Sequence, residues 1–442
     1  MASSGAAKGR IPLPGGCGPP YCWPMATRTR PSASRQAPPI EADIGIAGAG
    51  LAGLAAALAT AGRGFSVVVV APAPTRPDLR TTALLASSVA FLDRLGVWQE
   101  MADAAAPLAA MRIVDATGRL FRAPQADFRA AEIGLAAFGH NLRNDILGQA
   151  LRAAAIATGR MSFVQAAVED AVFRPDGATL LMSDGRRLDC RLAVAADGRN
   201  SVLRRASGIG ERQWSYPQTA VVLNFEHEFD HHDTSTEFHT PSGPFTVVPL
   251  GPRQSSLVWV ERPREAARIA AAPPAELARE IEDRMQSMLG KVRIVSDIQA
   301  FPLAGMTARR FGRGPLVLVG EAAHLFPPIG AQGFNLGLRD VELLDRLAGA
   351  CGRDGLPRLG ERYHRQRALD IGLRTASVDL MNRSLLSAFL PVQMARSLAL
   401  HALCAIAPLR RLAMREGIAP GSQLRHLLDG PRGPGQPSSA AK

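Results

Sequence analysis

Residues 43–74, DIGIAGAGLAGLAAALATAGRGFSVVVVAPAP, decide the fold. Residues 43–47 (DIGIA) alternate as a short strand, and residues 66–70 (SVVVV) form a β-branched run of the kind that fills a buried parallel strand. Between them lie Gly48-Ala49-Gly50-Leu51-Ala52-Gly53 and an Ala/Leu-rich helix running to about Ala61. A G-x-G-x-x-G run carries weight only between the strand and helix of a βαβ unit, and this one has both. Gly48 permits the tight turn, Gly50 lets backbone approach a pyrophosphate, and Gly53 allows helix and strand to pack closely. The helix N-terminus offers unpaired N–H groups and partial positive charge to phosphates. An acid is expected about 20 residues further on, to hold ribose hydroxyls. Ala71 stands in that place.

Working outward, residues 193–196 (AVAA) form another apolar strand and run into Ala195-Ala196-Asp197-Gly198-Arg199-Asn200-Ser201. Residues 316–319 (LVLV) end at Gly320-Glu321-Ala322-Ala323-His324. A loop with two prolines and two glycines follows, then a helix from about Gly333 to Leu347 with Leu336, Leu343, Leu344 and Leu347 on one face. Between the ends of this unit, residues 219–225, 245–249 and 256–260 read as antiparallel strands. The elements predict an α/β protein: a Rossmann-like nucleotide-binding domain with an inserted antiparallel β-sheet domain and a C-terminal helical region. The division drawn from sequence gives residues 1–40 as a disordered extension and residues 41–112, 135–215 and 295–355 as the nucleotide-binding domain. Residues 113–134 and 216–294 form the β-rich domain, 356–430 the C-terminal helices and 431–442 a disordered tail.

Composition excludes several classes. The 442 residues are enough for two or three domains. With 47% hydrophobic and 20% charged residues, the chain is not wholly disordered. Five scattered cysteines do not make a disulfide framework, so reduced thiols are expected, and Cys17 and Cys22 lack a second ligand pair for zinc. No run of 18 uninterrupted apolar residues is present. The net charge is +12, but residues 1–40 contribute five basic side chains and no acid. The tail adds Arg432 and Lys442, which leaves +5 for residues 41–429. That balance and the low aromatic content argue against nucleic acid. The cluster Glu226-His227-Glu228-Phe229-Asp230-His231-His232-Asp233 is read as a polar strand end and loop, not a metal site. Met25, inside the extension, is a candidate alternative start.

The three motifs, in this order and spacing, resemble the class A FAD-dependent aromatic monooxygenases with the para-hydroxybenzoate hydroxylase fold. Within that class the resemblance is to the ubiquinone-biosynthesis hydroxylases. Their run G-[DE]-A-A-H…P-x-x-G-Q-G-x-N-x-G-x-x-D is matched nearly throughout by residues 320–340, and the resemblance covers about residues 41–415. It implies FAD as cofactor, with Gly48, Gly50 and Gly53, and Leu51 and Ala52 between them, cradling the pyrophosphate. Glu321 takes the acidic position near the ribityl or pyrophosphate region, where the family more often has Asp. Asp197 matches a position associated with FAD and NAD(P)H, and Arg80 and Arg143 match positions that brace FAD. The loop with Gly330, Gln332, Gly333 and Asn335 would lie against the isoalloxazine ring. Backbone N–H groups and a helix dipole there suit the negative charge of a reduced flavin. His324 is assigned a structural or FAD-proximal place. No catalytic side chain is named.

The implied activity is hydroxylation of the aromatic ring of a polyprenylated ubiquinone precursor, with NAD(P)H as reductant and O2 as oxidant, through a C4a-hydroperoxyflavin. The alternatives are another flavoprotein of this fold (an isoprenoid reductase or a hydroxylase of soluble aromatics) and a non-catalytic flavoprotein scaffold. No second G-x-G-x-x-G marks a separate NAD(P)H domain. Phe245, Val247, Leu250 and Pro328 are expected on the pocket wall. The apolar stretch 384–409, followed by Arg410, Arg411 and Arg415, suits either packing on the FAD domain or a membrane surface. The expected station is cytoplasmic, or peripheral on the inner membrane beside other ubiquinone-biosynthesis proteins.

Overall fold

The computed structural model describes residues 38–73, 78, 80–118, 124–327, 332–386, 401 and 405–418. The side chains of residues 332, 373–386 and 417–418 are outside that description. So are the expected extension to residue 37, the tail 431–442, Pro328, Gly330 and most of the apolar stretch 384–409.

The glycine-turn strand, Ile40–Ala47, is the centre of an eight-stranded sheet. It pairs in parallel with Val67–Ala71 on one side and Arg187–Ala195 on the other. Met161–Gln165 and Leu316–Leu318 extend the parallel set outward. Val168–Arg174 and Gly177–Met182 add an antiparallel hairpin, and Gly312–Arg313 closes one edge. Ile44, Ile46, residues 67–70, residues 193–195 and residues 316–318 are all buried, so these strands read as unbroken apolar runs. The helix Leu51–Gly62 packs beside Asn144–Ala157 and Gln332–Gly355. Its buried alanines (55, 56, 57, 59 and 61) keep the layers close.

A second sheet has nine strands. Its order is His324–Leu325, Gln299–Ala308, Glu211–His227, Gln254–Glu261, Pro244–Gly251, Thr234–His239, Ala110–Asp115 and Ala126–Arg129, with Val292–Ile294 also on Glu211–His227. The sheet runs past the limits drawn from sequence, taking in residues 110–112, 211–215 and 299–308. One 17-residue strand, Glu211–His227, is the cause. Its first part pairs Glu211 with Ala308 through Ser215 with Ala304, and its later part pairs Thr219 with Pro302. The register shift between Ser215 and Thr219 contains Pro217, which has no N–H to give the ladder.

Two helices, Pro263–Ala271 and Pro274–Arg284, cover one face of this sheet. Ala266, Ile269, Leu277 and Ile281 pack there on Val221, Leu223, Phe225, Phe245, Val247, Leu257 and Trp259. Phe245 and Val247 therefore belong to the sheet–helix core, which corrects their expected place on the pocket wall. Strand parity sends the other residues the opposite way. Val222, Thr246, Val248 and Val258 lie on that opposite face, and all four are only half-buried. Leu250 sits at the irregularity between Pro249 and Gly251, where parity is reset.

A small sheet of Thr81–Leu85, Gly139–Arg143 and Ala106–Pro107 joins the two large ones. Asn141 donates to the Pro249 carbonyl at 2.8 Å and to Ser256 Oγ at 3.2 Å. Ser256 pairs with Val248, so the small sheet stands over the half-buried face. The helices Leu359–Leu386 and Ala407–Ile418 follow in the C-terminal part.

Candidate FAD site

The three motifs meet at one place. The Gly48 N–H donates to the Val70 carbonyl at 2.9 Å, and the Ala196 N–H donates to the Ala47 carbonyl at 2.8 Å. A side chain at Gly48, whose φ is +102°, would meet the Ala196 carbonyl at 2.3 Å. One at Gly53 would meet the Gly48 carbonyl at 2.1 Å. Gly320 (φ +59°) approaches Ala52, and Gly337 of the following helix packs against Gly320. These glycines are packing requirements. Gly50 differs: a side chain there would meet nothing within 4 Å. Open space thus lies before the N-terminus of Leu51–Gly62, where the N–H groups of Leu51, Ala52 and Gly53 have no intrahelical partner. This arrangement fits a dinucleotide pyrophosphate.

Arg80 precedes Thr81, whose register partner is Arg143. Arg80 donates from Nε and Nη2 to Asp78, both at 2.7 Å, and Arg143 donates from Nε to Asp145 at 3.0 Å. Asn144 donates to Asp78 at 2.9 Å and accepts from Thr82 at 2.5 Å. Burial pushes the Asp78 carboxyl up, but its bonds from Arg80 and Asn144 prevail and hold it below the usual range. The Arg80 guanidinium also lies 5.7 Å from the Phe301 ring centroid. Both arginines are thus oriented by fixed acids.

Asp197 is partly spent on structure. Its Oδ2 accepts from Val202 N at 2.7 Å, in the first turn of the short helix Val202–Ala206 that Ser201 caps. Its Oδ1 is buried and has no partner among the described residues. Glu321 is half-exposed, 4.0 Å from Arg199 Nε. Asn335 uses its amide within the protein. It donates to the Ala83 carbonyl at 2.8 Å and accepts from the Leu85 N–H at 2.9 Å, tying its helix to the small sheet. Gly333 is open, with nothing within 4 Å of an added side chain. Ala71 ends its strand beside Gln165.

Three residues that sequence reasoning passed over hold the site together. Arg204 is buried and donates to the Ala322 and Arg199 carbonyls, each at 2.7 Å. It staples the Asp197-Gly198 turn to the Gly320 turn and pairs with Glu211. Asp340 is fully buried; it accepts from the Gly320 N–H at 2.9 Å, from His324 Nε2 at 2.7 Å and from Arg367 Nε at 2.7 Å. Burial pushes the Asp340 carboxyl up, yet the Arg367 and His324 charges and these bonds bring it below the ordinary range. Asp340 is the last acid of the residue 320–340 run, so a signal for it existed. Arg204 and Arg367 look like any surface arginine in sequence.

The histidine cluster is absorbed by backbone. His227 bonds the Phe229 carbonyl at 2.7 Å and Ser255 Oγ at 3.0 Å. His231 bonds the Gly251 carbonyl at 2.6 Å and accepts from Asp233 N at 3.1 Å.

A model of the FAD binding domain family matches residues 41–372. Among curated proteins, the chain is 35% identical over 396 residues to ubiquinone hydroxylase UbiL of Rhodospirillum rubrum, covering 85% of this chain and 89% of that protein. It is 32% identical over 387 residues to 3-demethoxyubiquinol 3-hydroxylase of Escherichia coli, covering 84% and 97%.

The chain belongs to the ubiquinone-hydroxylase family of FAD enzymes.

FAD is the family's cofactor, and the fold agrees with solved FAD-dependent monooxygenases. p-Nitrophenol 4-monooxygenase PnpA of Pseudomonas putida superposes with a TM-score of 0.68 at 21% identity, over 86% of this chain and 98% of that one. PqsL of Pseudomonas aeruginosa gives 0.69 at 20% identity, over 78% and 97%. No helix among the described residues is long and apolar enough to cross a membrane.

Proposed function

We propose that this family member hydroxylates the aromatic ring of a polyprenylated ubiquinone precursor, using FAD, NAD(P)H and O2. The observation that carries this reading is the convergence of three distant turns around the open space before Gly50. In this reading the N–H groups of Leu51, Ala52 and Gly53 bind the pyrophosphate. Arg80 and Arg143, already aligned by Asp78 and Asp145, add positive charge. Glu321, which is exposed, accepts from a hydroxyl group of the cofactor, and Asp197 holds the turn beside it. The backbone at Gly333, at the N-terminal end of its helix, faces the electron-rich part of the ring. When bound, reduced FAD supplies O2 activation and oxygen transfer.

The chain's own task is then to place the phenol and exclude water. The half-buried face of the nine-stranded sheet serves this purpose: Val222, Thr246, Val248 and Val258 are apolar or neutral and lie under the small sheet. Phe301 extends that face beside Arg80. No side chain is required there as a general base.

The last helix supports a station at a membrane surface. Ile406, Leu409 and Leu412 are exposed there, as are Arg411 and Arg415, while Met414 packs inward on Ala130 and Phe138. Apolar and cationic side chains exposed together suit an anionic lipid interface. The reading is tested with purified holoprotein, NADH or NADPH, O2 and a short-tailed demethoxyubiquinol. A hydroxylated quinol is the expected product. Flavin-loaded protein that forms none with either donor overturns it.

A further inference from the structure

A cavity of about 640 Å³ lies at the far edge of the nine-stranded sheet, near Ala110–Asp115 and Ala126–Arg129. The cavity shares no residue with the FAD site, and its size suits a small-molecule ligand.

Its lining is divided by chemistry. Arg112, Arg129 and His232 supply cationic or donor groups, and Phe229, Met288 and Leu289 supply apolar surface. Asp127 takes Arg112 Nε at 2.8 Å, leaving the remaining guanidinium N–H groups. Among the described residues no ion pair holds Arg129. Asp230, the carboxylate in the lining, accepts from the His232 N–H at 2.6 Å and lies 3.8 Å from the His232 Nδ1. Phe229, in the lining, is 52% exposed.

The backbone adds an independent observation. Among the described residues, the non-glycine positions with positive φ are His232 (49°), Asp233 (50°), Gln286 (52°) and Ser287 (53°). All four fall in the two loops that line this cavity. Such conformations are costly, and they cluster where a site is being shaped. The loops are fastened to each other, with the Glu228 and Phe229 N–H groups both donating to the Leu289 carbonyl at 3.0 and 2.9 Å. The opposite wall, at Arg129 and Ala131, is fixed by the last helix, where Arg410 pairs with Glu132 at 2.7 Å.

We infer that this cavity is a second binding site, for an anionic amphiphile. Its phosphate or carboxylate head lies between Arg129, Arg112 and His232, and its apolar body lies on Phe229, Met288 and Leu289. Such a ligand comes either from a bilayer or from solution.

The test uses full-length holoprotein and dodecyl phosphate below its micellar range, with inorganic phosphate as control, followed by calorimetry. One dodecyl phosphate per chain is expected, with inorganic phosphate at least about ten-fold weaker, because the apolar body adds affinity. Arg129→Gln and Phe229→Ser should each weaken dodecyl phosphate about ten-fold or more while FAD content stays at one per chain. Vesicles of phosphatidylcholine with and without phosphatidylglycerol distinguish the source. If Arg129→Gln also weakens binding to the anionic vesicles, the ligand is a bilayer lipid; if it weakens only the monomer, the ligand is soluble. Absence of dodecyl phosphate binding, equal binding of inorganic phosphate, or binding untouched by both variants overturns the site. Because FAD content and turnover are read separately, failure here leaves the hydroxylase reading standing.

Discussion

The parallel sheet buries its central strands on both faces, whereas the nine-stranded sheet buries one face and leaves the other half-covered. In the parallel sheet every apolar side chain is already spent on stability, and function is left to the turns at the strand ends. In the nine-stranded sheet alternate side chains do different work. Phe245, Val247 and Trp259 hold two helices, while Val248 and Val258 are half-buried on the other face. On the proposed reading, the molecule separates cofactor holding from substrate placing by sheet type.

Substitutions at the two sheets should break or sharpen this division. The largest effect is expected at Gly53→Ala, where the new side chain meets the Gly48 carbonyl at 2.1 Å. Neither backbone can move without opening the parallel sheet, so no folded flavoprotein should be recovered. Gly50→Ala should fold, with a thermal midpoint near the parent's, and lose flavin absorbance. Equal behaviour of the two variants would remove the distinction between packing and binding glycines.

Asp340→Asn is next. It removes the buried charge that Arg367 pairs with and leaves only the partly exposed Asp370, at a cost of about 3 kcal/mol measured by denaturant unfolding. Because the Asp340 carboxyl sits below its unfolded value in the native state, its contribution is complete above about pH 4 and fades as pH falls through the folded value. The parent should therefore lose stability on acidification in that window, and the variant should lose less.

Phe245→Ala and Val248→Ala sharpen the comparison within one strand. The first should cost about 3–5 kcal/mol of stability and leave KM for the ring substrate unchanged in the folded fraction. The second should cost about 1 kcal/mol and lower kcat/KM on the order of ten-fold. The reverse pattern would put the substrate on the helix-covered face. The smallest effect is expected for Ala71→Glu. It restores a carboxylate at the second strand's end and should tighten FAD binding several-fold, about 1 kcal/mol by equilibrium titration.

These contrasts also explain what was legible beforehand. The glycine turn, the strands around it and the residue 320–340 run could be read because backbone geometry demands particular residues at particular spacings. Phe245 and Val247 were misplaced because both faces of their sheet are apolar. Alternation then says which residues share a face, not which face meets the helices. The Asn335 amide ties two backbones, a use that the residue type alone does not announce. Arg204 and Arg367 act through contacts of more than 100 and about 30 residues' separation, respectively, which no local pattern records.

The pairing of Ile40–Ala47 through Arg187–Ala195 to Leu316–Leu318, locked by Asp340 and Arg367, has a consequence for how the protein is made. The first turn leaves the ribosome early, but Leu316–Leu318 and Asp340 follow only after more than 250 residues, and the last of its partners, Arg367, after more than 300. At about 5–20 residues per second, that is a wait on the order of 15–60 s. During it, residues 67–70 and their neighbours have no complete sheet to enter, and contacts of such long range form slowly. A chain released before Arg367 would carry the entire first glycine motif and still be unable to retain a flavin.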